Sequence, residues 1–117
     1  LGDEEATEDF IAVGKDVNMQ DAEGRTPLHF AAAHSHTKIL QALLDAGADH
    51  AKADSKSNTA LHYATGYGRV DAVSILLDAG ADIKSKNVTD KTPLDVAKLN
   101  PENPLFEFDE IVKRLTP

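Results

Sequence analysis

The stretch Asp21-Ala22-Glu23-Gly24-Arg25-Thr26-Pro27-Leu28-His29-Phe30-Ala31-Ala32 decides the architecture, because its parts return at a fixed step. Thr26, Thr59 and Thr92 lie 33 residues apart, and the same step carries Leu28 to Leu61 and Leu94, and Ala31 to Ala64 and Ala97. Coincident ladders of this kind are the signature of a repeat protein, in which each unit buries its apolar face only against its neighbours. Backwards, Gly80 steps to Gly47 and Gly14, and Asp82 to Asp49 and Asp16. The pattern predicts one domain over 1–117, made of a partial repeat 1–20 and three units, 21–53, 54–86 and 87–117.

Within a unit, Thr26-Pro27 and Thr92-Pro93 read as helix starts: the threonine caps an orphan N–H, and proline at the first helical position loses no internal bond. Thr59-Ala60 keeps the cap without the proline. Second helices are predicted over Lys38 to Ala46 and Val70 to Ala79, with Ile39, Leu43 and Leu44 forming one apolar stripe and Ala72, Ile75, Leu76 and Leu77 the next. Gly47 and Gly80 then end them in the left-handed conformation. The polar stretches Asp49 to Asn58 and Asp82 to Lys91 return the chain for the next pair. Seventeen alanines allow thin helices to stack closely, and the expected fold is an all-α solenoid.

These residues, with Leu43-Leu44-Asp45-Ala46-Gly47-Ala48-Asp49, resemble the ankyrin repeat signature along nearly the whole chain. The resemblance implies antiparallel helix pairs joined by projecting, β-hairpin-like loops, an L-shaped and curved stack, and braces between loops made by His29 and His62.

Four departures from the repeat mark this chain. Gly24 becomes Ser57 and then Asp90; aspartate tolerates a left-handed turn, whereas serine is expected to relax it. The interval from Ala97 to Leu115 exceeds its counterpart from Ala64 to Leu77, so Asn100-Pro101-Glu102-Asn103-Pro104 reads as an insertion, a rigid loop with Phe106 to Leu115 closing the stack. The first unit keeps only a second helix around Glu4 to Val13, and with Leu1 in place of a start methionine this predicts further chain upstream. The fourth departure, Gly66-Tyr67-Gly68-Arg69, presents a stacking ring, a hydroxyl and a forked cation within a few residues, a combination suited to a sugar or phosphate headgroup. A packing alternative has Tyr67 covering Phe30 or Tyr63 and Arg69 paired with Asp71.

Composition narrows the function. A net charge of −8 argues against a nucleic-acid partner held through phosphates. The acidity is concentrated in residues 1–23, which carry −7, while residues 24–100 carry +1. No run is long enough to cross a bilayer, and the absence of cysteine removes disulfides, thiolate chemistry and cysteine zinc sites. His34 and His36 form an H-x-H pair, a weak zinc signal without further ligands, and His50 stands alone. No catalytic triad, phosphate-cradling glycine loop or inward-facing carboxylate pair is visible. The expectation is a binding module that is not an enzyme and needs no metal or cofactor.

What remains is a surface. Lys52, Lys56, Lys84, Lys86 and Lys91 fall in the projecting loops and could form a basic rim beside Tyr67 and Arg69, suited to acidic segments or anionic lipids. Asn58 to Arg69 and Lys91 to Asn100, with Leu1-Gly2-Asp3, further resemble the C-terminal ankyrin domains of plant and algal cytosolic factors that escort proteins to the chloroplast outer envelope. That resemblance implies a targeting chaperone, cytoplasmic and peripheral at the envelope. Its partners would be protein cargo and the headgroups of a galactolipid and phosphatidylglycerol, with Tyr67 and Arg69 at the matching headgroup positions. One acidic headgroup residue of that family is replaced by Met19 here. The candidate contact residues are Tyr67, Arg69, His34 and Lys56; the alternative is a protein–protein scaffold without lipid preference.

Overall fold

Each first helix starts where a threonine turns the chain from extended to helical backbone: Thr26, Thr59 and Thr92 have φ/ψ of −98/166°, −87/172° and −75/168°. The computed structural model describes residues 16–117. The helix around Glu4 to Val13, and most of the partial repeat, lie outside the described residues. From Thr26 onward the chain runs α1 (Pro27–Ala33), α2 (Thr37–Asp45), α3 (Ala60–Gly66), α4 (Val70–Asp78), α5 (Pro93–Ala97), a 3-10 turn (Pro104–Glu107) and α6 (Asp109–Leu115). Second helices therefore begin at or within one residue of expectation, and Gly47 (φ +92°) and Gly80 (φ +89°) follow them in the left-handed conformation.

The helices form two layers. α1, α3 and α5 pack side by side, α2, α4 and α6 form the second row, and each first helix packs on its own second helix. Contacts thus pass from neighbour to neighbour, as expected of a solenoid. The core lies between the rows, where Leu28, Leu61, Leu40, Leu43, Leu76 and Leu115 are essentially inaccessible. Ala32, Ala64, Ala72 and Ala97 have no exposed surface, so small side chains set the close approach of the helices.

No β-strand is present among the described residues. Each loop is instead a tight turn closed by one bond of hairpin type, Asp21 N–H to Arg25 O (2.9 Å), Asp54 N–H to Asn58 O (2.9 Å) and Asn87 N–H to Lys91 O (3.0 Å). Adjacent loops are tied by Ser55 N–H to Glu23 O (2.9 Å) and Val88 N–H to Lys56 O (3.0 Å). Ser57 does not relax its turn: its φ of 62° matches the 63° of Asp90 and the left-handed Gly24. Bonds from Ser57 N–H to Asp54 O and from Asn58 N–H to Asp54 Oδ1, both 2.9 Å, hold it there against the steric cost of a Cβ.

The expected loop after α5 is folded inward. Asn103 is buried, its Nδ2 donating to Thr65 O (2.8 Å) at the end of α3 while its Oδ1 accepts Leu105 N–H (3.0 Å) to cap the 3-10 turn. Pro104 and Asn103 press on Gly68, where an added Cβ would lie 2.6 Å from Pro104 Cδ and 2.9 Å from Asn103 Oδ1. Gly68 also holds φ +67°, so it answers both a turn and a close approach. Asn103→Ala removes one of the two donors to the buried Thr65 carbonyl, which keeps Gly68 N–H, together with the acceptor of Leu105 N–H, and should cost about 1–3 kcal/mol in urea unfolding; an unchanged midpoint would show that the insertion is not part of the cooperative unit.

Candidate functional site

Two histidines join the loops into one surface. Thr26 N–H donates to His29 Nδ1 (3.0 Å) and Thr59 N–H to His62 Nδ1 (3.1 Å), so Nδ1 carries a lone pair and the proton sits on Nε2. Each Nε2–H then donates to a carbonyl of the following loop, Asn58 O at 2.8 Å and Lys91 O at 2.9 Å. Burial disfavours the charged ring and holds both histidines below their ordinary pKa. In the last unit Asp95 takes the same position; its Oδ2 accepts Thr92 N–H (3.1 Å), so it caps its own helix.

On that braced frame lies a groove of about 660 Å³. Its floor is Tyr63 and Val96, its edge Gly66 and Tyr67, and its loop wall Glu23, Arg25, Asp54, Ser55, Lys56 and Asn58. The 33-residue step places Phe30, Tyr63 and Val96 on one line of first-helix positions, a ladder legible in the sequence that motif matching passed over. Tyr63 donates its hydroxyl to Asp54 Oδ2 and stands edge-on to the His29 ring (4.8 Å between centroids). Burial, with Asp54 alongside, raises the Tyr63 pKa far above the ordinary phenol value. Burial opposes ionisation of Asp54, but the Tyr63 hydroxyl and the N–H groups of Asn58 and Lys56 outweigh it, and its pKa is lowered. Arg25 is held by Asp21 (2.9 Å) and Glu23 (3.3 Å) and lies 4.8 Å from the Phe30 ring centroid.

The four candidate contact residues fall into two pairs. Tyr67 and Lys56 line the groove, and Tyr67 is 63% exposed at the end of α3. It stands one helical turn after Tyr63 in the same groove, while the Phe30 ring lies against Arg25. Arg69 and His34 sit outside the groove lining, at the corner between first and second helices. Arg69 does not pair with Asp71; its Nε–H donates to Ala33 O (2.8 Å), the carbonyl just before His34, and so straps one unit to the next. His34 is exposed and stacks on His36 (5.5 Å between centroids).

The five loop lysines do not make a continuous basic rim. Lys86 is paired with Asp90 (3.5 Å), and Asp49, Asp54 and Asp82 interrupt the row. Among the described residues, no cluster of three or more metal-ligating side chains occurs and no helix is long and apolar enough to cross a membrane.

A family model of ankyrin repeats in three copies matches residues 1–87, and the chain belongs to the ankyrin repeat family. It is 46% identical over 43 residues to rabankyrin-5 of Mus musculus, covering 37% of this chain and 4% of that protein. Ankyrin repeat domain-containing protein 7 of Homo sapiens is 41% identical over 46 residues, 38% of this chain and 18% of the relative. The 60 kDa lysophospholipase of Mus musculus is 37% identical over 46 residues, 39% of this chain and 8% of the relative. The matched segment is thus a small part of each relative, and the likeness is one of repeats. As an ankyrin repeat domain, the chain is a protein-binding module, generally non-catalytic; the enzyme name comes from a protein of which the match covers under a tenth.

Proposed function

We propose that the groove beside Tyr67 is where this module docks an extended segment of a partner protein. The observation that carries this reading is the exposure of Tyr67 on a preformed groove. A tyrosine that is 63% exposed adds nothing to the core, yet it stands on a floor made rigid by the histidine braces and the Tyr63–Asp54 bond. A ring presented on a frame that need not rearrange loses little entropy on contact, which favours it as an anchor. Tyr67→Ala should weaken binding of a partner recovered with the intact domain by about tenfold or more, with unchanged unfolding midpoint. Undiminished binding would place the contact elsewhere.

Arg69 supports a second reading, that of an envelope-targeting module acting in the cytoplasm and at the chloroplast surface. With Nε–H committed to Ala33 O, the guanidinium is oriented, and no ion pair occupies its remaining N–H groups among the described residues. An oriented fork at the carbonyl that precedes His34 suits a phosphate-bearing headgroup. Flotation with liposomes containing a galactolipid and phosphatidylglycerol should fall on Arg69→Ala, and Arg69→Lys, which keeps the charge but loses the fork and the strap, should restore only a part of it. Equal flotation by all three proteins would remove this reading.

A further inference from the structure

Resting on the protein-docking reading, we infer that the groove selects an extended segment carrying a basic and an acidic side chain about three residues apart, with an apolar side chain nearby to lie on Tyr67. The charges of the loop wall are unequal in their commitments. Asp54 is fully engaged, accepting the Tyr63 hydroxyl on one oxygen and the N–H groups of Lys56 and Asn58 on the other. Arg25 is shared by two carboxylates; Asp21 takes it at 2.9 Å, leaving Glu23 with one longer contact at 3.3 Å and a side chain 68% exposed. One guanidinium between two acids leaves negative charge at the Glu23 tip. Lys56 is exposed, and its ammonium has no ion pair among the described residues.

Glu23 and Lys56 occupy the same position of adjacent units, one 33-residue step apart. The translation between units is that between packed helices, about 8–10 Å. An extended chain covers about 3.3 Å per residue, so about three residues span the two tips. Opposite charges at that spacing would meet the unpaired Lys56 and the Glu23 carboxylate that shares Arg25 with Asp21, and a segment of uniform sign would meet one tip with repulsion.

The test is selection of a random twelve-residue display library on the intact domain, followed by affinity measurements on the enriched peptides. Enrichment of peptides with opposite charges about three residues apart is expected, as is about fivefold weaker binding on Lys56→Glu. Replacing the peptide's acidic residue by lysine should restore affinity for the Lys56→Glu domain and for no other. Enriched peptides that need Tyr67 but ignore Lys56→Glu and Glu23→Lys would overturn the charge assignment and leave the docking reading standing. Peptides indifferent to Tyr67→Ala, or no enrichment at all, would remove both.

Discussion

Leu61→Ala is expected to remove about 3–4 kcal/mol of stability, close to half of what a small domain commonly has. Leu61 is 1% exposed on α3, the helix that packs against both α1 and α5. Truncation loses the transfer free energy of the side chain and leaves a cavity whose walls are other helices of the stack, with limited freedom to collapse. In a one-dimensional array a lesion in the middle unit weakens two interfaces, whereas one at the end weakens fewer. The equivalent Leu94→Ala, at a site 6% exposed on α5, should therefore cost less. Urea unfolding of both variants checks the order; equal losses would contradict nearest-neighbour coupling.

The second large effect is expected at His62. His62→Ala removes the acceptor of Thr59 N–H and the donor to Lys91 O, both at buried or half-buried positions, and leaves a void where a fully packed ring stood. Thr59 N–H is left unpaired, the Lys91 carbonyl keeps only its bond from Asn87 N–H, and with the lost packing the cost should be about 3 kcal/mol. His62→Gln should recover part of this, because glutamine is also a capping-box residue. The same chemistry sets a pH dependence. Both braced histidines have folded-state pKa values below the ordinary value, so the unfolded chain binds more protons as the pH falls. Their full contribution is present above about pH 6.5 and is lost as the pH drops through the folded-state values, with a slope of at most about 1.4 kcal/mol per pH unit for each ring. Asp21, Asp54 and Asp95 also have lowered pKa values, but their contribution is full above the ordinary carboxylate value and declines only at more acidic pH. Stability measured between pH 7 and 5 should fall in the parent and flatten in the His29→Gln, His62→Gln double variant. Parallel curves would mean that the braces do not titrate in this window.

Much of the architecture was legible before any coordinates, because it depends on local chemistry repeated at a fixed interval. Thr26, Thr59 and Thr92 start helices and Gly47 and Gly80 end them, each for reasons contained in a few neighbouring residues, whereas the braces of His29 and His62 reach carbonyls 29 residues away and were implied by the family resemblance. Ser57 keeps the left-handed turn because the Asp54 carbonyl and carboxylate hold the N–H groups of Ser57 and Asn58, which the preference of serine taken alone does not include. The binding surface was only half legible. Tyr67 stood out as a departure from the repeat, but Lys56 shares its groove whereas Arg69 faces the previous unit.

The sequence by itself determined the period, the starts of the first helices and the ends of the second helices at Gly47 and Gly80, since all follow from short-range patterns. Tertiary structure alone decided where the inserted segment goes and which charges stay uncommitted. Asn103 reaches a carbonyl 38 residues away, and Gly68 makes room for Pro104. Asp54 is consumed by Tyr63 while Lys56 is not consumed by anything among the described residues. Such outcomes depend on which groups the superhelical translation brings within hydrogen-bonding distance, and a residue's own neighbours in the chain carry no record of that.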